Sequence, residues 1–167
     1  MALRHRRNLT VDIVRLCTSS ATTGAARTDE LGSLVGMLID VRCDADFMAF
    51  ARNSVLQESI GDWVVFVDES VELRRRWVDR LGRDLESIHD IELVACSVGA
   101  VETVGSWSSP RLPGRPPGLD VAYRRSVLDR SGPFVACAES GWSIDMDMQL
   151  RLTSMGFVVQ RGERSAR

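Results

Sequence analysis

The sequence is 167 residues long, with 44% apolar residues, 26% charged residues and a formal net charge of -2. That length suits one compact domain with its own core. The composition excludes a disordered chain, and the near-balanced charge gives no bulk electrostatic case for nucleic-acid binding.

No apolar run approaches the length of a membrane span, and no apolar stretch follows the basic residues near the start as a secretory signal requires. The expectation is a cytoplasmic protein with no transmembrane segment, at most peripheral at the inner membrane face. All 21 basic residues are Arg, which reads as GC-rich coding bias rather than function. Cys17, Cys43, Cys96 and Cys137 are far apart and form no C-x-x-C pair. That argues against a zinc cage or redox motif and for reduced, structural thiols.

Residues 1–9 read as a disordered basic arm, 10–160 as a single domain and 161–167 as a tail. Residues 10–16 read as a strand, and 17–30 as a loop or frayed helix. Residues 34–41 form a second apolar run, read as a strand broken by Gly36, with a helix as the alternative. The next segment, 44–60, has helical spacing. Asp44 is its candidate N-cap, Phe47, Phe50, Ala51 and Val55 its buried face, and Gly61 its stop. Residues 63–67 then form a strand with no polar interruption. Such a strand belongs in a sheet covered on both faces. It ends in Asp68, Glu69 and Ser70.

A helix follows over 74–88, with Trp77, Leu81 and Leu85 as its core stripe. Residues 91–101 read as a strand. The stretch 105–118 holds Pro110, Pro113, Pro116 and Pro117 and reads as a long loop or lid. A short helix over 120–130 stops at Ser131, Gly132 and Pro133. The last helix spans 143–155 and ends at Gly156, and 157–160 reads as a final strand. Alternating helices and strands predict an α/β architecture. Ligands of open α/β sheets bind beyond the carboxyl ends of the strands, where Asp68 and Glu69 would stand.

Two acidic sites carry the candidate chemistry. Adjacent carboxylates at Asp68 and Glu69 suit Mg²⁺ or Mn²⁺, which prefer oxygen ligands shared with phosphate. The plainer reading is a polar strand end at a turn. Asp145 lies in the first turn of the last helix, where the helix dipole alone favours an acid. Asp147 and Arg151 are spaced to pair with each other. Met148, Leu152 and Met155 form a core stripe.

The ordered set of motifs goes further. A-R-N at 51–53 precedes G-D-W-V-V-F-V-D-E-S at 61–70 and W-V-D-R-L at 77–81. D-V-A-Y-R-R-S-V-L at 120–128, G-P-F at 132–134 and D-M-D-M-Q-L-R-L-T-S-M-G at 145–156 follow. This series resembles the family 2 glycosyltransferases over about two thirds of the chain. The resemblance implies a Rossmann-like, mixed but mostly parallel sheet flanked by helices, of the nucleotide-diphospho-sugar transferase type. It implies sugar transfer from a nucleotide-diphosphate donor to an acceptor hydroxyl, inverting and metal-assisted. Asp68 and Glu69 would hold Mn²⁺ or Mg²⁺ and the donor diphosphate, and Arg52 would lie near the nucleotide. Asp145 would be the general base, with Tyr123, Arg124 and Arg125 on the side of a carbohydrate, lipid or small-molecule acceptor.

The chain also departs from that pattern. The family's opening strand and proline-containing turn have no counterpart, so the chain reads as starting near the second strand. The place of that strand's acidic turn is taken by Cys17, Thr18, Ser19 and Ser20. Ser70 and Ile144 stand where the family carries acids. The alternative is therefore a catalytically inactive fragment or paralogue that acts as a binding or scaffold module. Without a first strand, a neighbouring strand's edge would lie open and invite self-association into a homo-oligomer.

Overall fold

A computed structural model describes residues 9–17, 28–44, 47–68, 73–87, 93–97, 121–136 and 144–161. In chain order these form β1 (Val11–Cys17), α1 (Thr28–Leu31), β2 (Val35–Arg42), α2 (Met48–Glu58), β3 (Trp63–Asp68) and α3 (Arg75–Ser87). Then follow β4 (Leu93–Ser97), β5 (Val121–Arg124), α4 (Arg125–Ser131), α5 (Ile144–Ser154) and β6 (Val158–Arg161). The strands make one six-stranded sheet in the order β2-β1-β3-β5-β4-β6. Five strands run in the same direction and β5 runs against them, antiparallel to both β3 and β4.

Strand β3 shows why the sheet has three layers. Trp63, Val65 and Val67 pack into one core with Leu73, Trp77, Val78, Leu81 and Leu85, on the side of α3. Val64 and Phe66 pack into the other with Ala49, Val55, Tyr123, Val127, Met148 and Leu152, on the side of α2, α4 and α5. A strand alternates its side chains between faces. An uninterrupted apolar strand therefore needs helices on both sides, as its sequence predicts.

Three sequence expectations are corrected. Residues 121–124 of the expected helix over 120–130 are strand β5, and only the second half is helical. Val121, Ala122 and Tyr123 are all buried there, which a strand between two neighbours requires. Asp44 does not cap α2 with its side chain; the cap position is Phe47, and Asp44 contributes only its carbonyl, bonded to Phe47 N. Nor do Phe47 and Phe50 face the core, being 61% and 73% exposed. The buried face is Ala49, Ala51, Arg52 and Val55. Successive helix positions are about 100° apart, so small residues meet the sheet and the phenylalanines turn outward. Strand β1 pairs in parallel with β2 on one side and β3 on the other. The edges of the described sheet are β2 and β6. The proline-rich stretch 105–118 lies outside the described residues.

The amino end of the sheet is clamped by an acid inside an apolar strand. Asp12 is fully buried. Its Oδ2 accepts hydrogen bonds from Ser59 Oγ at 2.7 Å, Ile60 N at 2.9 Å and Gly61 N at 2.7 Å. These donors form the turn from α2 into β3, which Asp62 reinforces by accepting from Thr10 N at 2.9 Å and Thr10 Oγ1 at 3.1 Å. Gly61 is required by this close approach. A Cβ there would lie 2.9 Å from Asp12 Cγ and 3.0 Å from Asp12 N. Gly61→Ala should therefore destabilise the protein by about 1–3 kcal/mol through overpacking, measured as a lower midpoint in urea unfolding with an unchanged slope.

Candidate functional site

Asp68 ends β3 opposite Leu16, at the carboxyl end of the parallel β2-β1-β3 half of the sheet. That is the end where open α/β sheets bind ligands. Glu69 and Ser70 lie outside the described residues. The acidic pair has the donor chemistry of a Mg²⁺ or Mn²⁺ site. Among the described residues, no group of three or more His, Cys, Asp or Glu side chains gathers to hold a metal ion.

Below this end, on the face covered by α2 and α5, three of the sequence-selected residues come together. Arg52 of α2 donates Nη1 to Asp145 Oδ1 at 2.6 Å and Nη2 to Oδ2 at 3.1 Å. The two side chains are only 1% and 6% exposed. Tyr123 of β5, also fully buried, stands 3.3 Å from Asp145 Oδ1 through its hydroxyl. The guanidinium sits 4.9 Å from the Phe66 ring centroid and 5.2 Å from that of Phe134. Phe66, Tyr123 and Phe134 pack edge-to-face on one another. A planar cation among aromatic faces with a fork of donors to one carboxylate is a site that Arg fills and Lys does not.

Burial raises the Tyr123 phenol well above its usual pKa, and the neighbouring Asp145 charge adds to the shift. The hydroxyl is therefore a proton donor to the carboxylate rather than a phenolate. Asp145 lies in the first turn of α5. Both of its oxygens have partners. What the arrangement does in this geometry is hold α5 against α2 and β5.

The other motif residues are drawn into the same architecture. Asn53 bonds the backbone of Phe134 twice, donating Nδ2 to its carbonyl at 2.9 Å and accepting from its N–H at 2.8 Å. This side-chain pairing seats the G-P-F segment and its ring beside Arg52. Arg151 bonds Asp147 at 2.6 Å, as its spacing predicts. It also donates to the carbonyls of Ser131 at 3.0 Å and Pro133 at 2.8 Å, which ties α5 to the end of α4. Sequence reasoning missed Asn53 and Asp12. The available signal was an acid set within an apolar strand, and an amide directly following the buried Arg52.

Arg124 and Arg125 do not join Asp68. Because β5 is antiparallel, Arg124 pairs with Trp63 at the amino end of β3, about 17 Å along the strand from Asp68. Its guanidinium lies 4.9 Å from the Trp63 ring centroid. Arg125 bonds the Ser59 carbonyl and Asp129, and its N–H bonds Asp62 O at 2.9 Å. The reversed strand thus separates Arg124 and Arg125 from any acceptor side built near Asp68.

No protein-family model and no curated protein sequence matches this chain. Solved structures do. A mannosyltransferase, PcManGT from Pyrobaculum calidifontis in complex with GDP-Man and Mn²⁺, superposes with a TM-score of 0.63 at 15% identity over 93% of this chain and 55% of its own. Glucosyl-3-phosphoglycerate synthase from Mycobacterium tuberculosis, in complex with Mg²⁺ and UDP, gives 0.62 at 15% identity over 92% of this chain and 68% of its own. The bifunctional IspDF from Campylobacter jejuni gives 0.50 at 12% identity, over 95% of this chain and 51% of its own. The fold is that of the nucleotide-diphospho-sugar transferases, a mixed α/β sheet flanked by helices. The chain spans 55% of the length of the mannosyltransferase. No helix among the described residues is long and apolar enough to cross a membrane.

Two outcomes follow from the buried cluster. Asp145→Ala or Arg52→Met alone should cost about 3–5 kcal/mol, because each leaves a buried charge without its partner. The double substitution Arg52→Met with Asp145→Leu should cost clearly less than the sum, measured by chemical unfolding as a double-mutant cycle. Tyr123 is the one tyrosine in the sequence, so tyrosinate absorbance reports it alone. Its folded pKa lies above the usual value of 10.0, so the folded state holds a proton that the unfolded chain releases. Stability from this group is complete below pH 10 and falls as pH rises beyond it. Tyrosinate absorbance should appear only above the usual range or together with unfolding.

Proposed function

We propose that this domain is a nucleotide-sugar glycosyltransferase domain that binds its donor beyond the carboxyl ends of β1 and β3. The observation that carries this reading is the position of Asp68, an acid ending an otherwise apolar central strand at the ligand-binding end of this fold. Asp68 and Glu69 would hold Mn²⁺ or Mg²⁺ and, through it, the donor diphosphate. A divalent cation there supplies charge neutralisation for the departing nucleoside diphosphate. The family resemblance of the motifs and the metal- and nucleotide-bound state of the solved neighbours support the assignment.

Within this reading Asp145 would take the proton of the acceptor hydroxyl, and the transfer would be inverting. Its engagement by Arg52 and Tyr123 sets a condition: the pair must open before Asp145 can accept a proton. Arg52 would then turn toward the nucleotide. A second reading is favoured by the same enclosure. If the pair stays closed, the domain keeps the scaffold without the chemistry and acts as a binding module.

Calorimetric titration of UDP and GDP into the full chain, with and without Mn²⁺, separates the two. Metal-dependent binding is expected, weakened at least roughly tenfold (about 1.4 kcal/mol) by Asp68→Ala. Transfer of sugar should then be lost in Asp145→Asn if that variant remains folded. A folded sample that binds neither nucleotide at any Mn²⁺ concentration would establish the binding-module reading instead.

A further inference from the structure

We infer that the outer edge of β2 is an interface at which a second copy of this chain pairs strand to strand. The inference is independent of the glycosyltransferase reading. It starts from the hydrogen-bond phase of β2. Cys43 N bonds the Cys17 carbonyl, and Cys17 stands opposite Arg42 in the parallel register. In a parallel pair, alternate residues turn both backbone groups toward the partner. Residues 37, 39, 41 and 43 therefore face β1. Leu38, Asp40 and Arg42 turn their N–H and C=O outward, where the described residues supply no further strand.

The side chains along this edge are accessible. Asp40 and Arg42 are exposed, and Leu38, Ile39 and Val41 are half-buried, against the full burial of Val11, Ile13 and Val14 in the adjacent β1. An eight-residue strand carrying four apolar residues between its end residues, V-G-M-L-I-D-V-R, is an edge on which another chain can pair.

Charge selects the occupant and the register. Two copies of β2 related by a twofold axis pair antiparallel. A register centred on Asp40 would set Asp40 against Asp40. One centred on Val41 sets Asp40 against Arg42 of the second copy and Arg42 against its Asp40, giving two opposite-charge pairs at outward-facing positions. Asp40 already accepts both hydrogen bonds from Arg15, at 2.8 and 2.7 Å. Its side chain is nonetheless 36% exposed, and a carboxylate can accept further donors. In this register Val41 meets Val41 on the opposite face. The result is a continuous sheet through both copies.

Sedimentation velocity of the full chain over a concentration series, with amide hydrogen exchange at Leu38, Asp40 and Arg42, tests the inference. The expected result is a monomer–dimer equilibrium, with protection at those three amides that grows with concentration. Arg42→Asp, at an exposed position, should weaken the dimer about tenfold by replacing two attractive cross-strand pairs with repulsive ones. Three outcomes would each overturn it. One is a monomer at every concentration. Another is protection of the three amides in the monomer, which would mean that a segment of the same chain covers the edge. The third is a dimer that leaves the amides fast-exchanging and is indifferent to Arg42→Asp.

Discussion

The bidentate bond between Arg52 and Asp145 joins residues 93 positions apart in sequence. It is the contact on which the α2/α5 face of the sheet depends. Both ions are removed from water, so each is tolerable only with the other in place. Around them the fold encloses the pair with Tyr123 from β5, the Phe66 ring from β3 and the Phe134 ring from the segment after α4. Three further segments thereby converge on the charge pair between α2 and α5. Ala49 and Ala51 lie beside Arg52 on the buried face of α2, where small side chains allow close packing.

Much of this was legible in the sequence because it follows from local pattern. The apolar run in β3 implies two covering layers, and both are present. The stripe Trp77, Leu81 and Leu85 is buried as its spacing implies. Gly156 ends α5 with φ +84°, a conformation that costs glycine little. The failures are of another kind. The Phe47 and Phe50 spacing is helical, yet helical period does not say which face meets the sheet, and the outcome turned on close packing. The segment D-V-A-Y-R-R carries too few apolar positions to distinguish four residues of strand from a helix start. Its pairing with β3 and β4 is non-local, and no local propensity contains it.

The candidate site shows the same division. Sequence order pointed to Arg52, Asp145 and Tyr123 as separate functional positions, and the fold brings the three into one cluster. It could not show that they would contact each other, because hydrogen-bond partners are set by the packing of α2 against α5. The reversal of β5 was equally hidden, and it sends Arg124 and Arg125 to the far end of the sheet. Motif letters therefore have two meanings here. In A-R-N, Ala51 grants close packing, Arg52 neutralises a buried acid and Asn53 substitutes for a strand partner of Phe134. Each residue has a reason to be there that needs no substrate.

The clamp on Asp12 gives the two ends of the sheet different freedoms. At the amino end, a buried carboxylate holds three donors of one turn, Asp62 holds Thr10, and Arg125 closes the same turn from the start of α4. Nearly every substitution there strands a polar group or crowds a backbone. The carboxyl end, where β1, β2 and β3 run out toward Asp68, carries no such interlock among the described residues. The rigidity of the described sheet is therefore concentrated where α2 turns into β3, so that one aspartate in β1 fixes the register at which three strands begin.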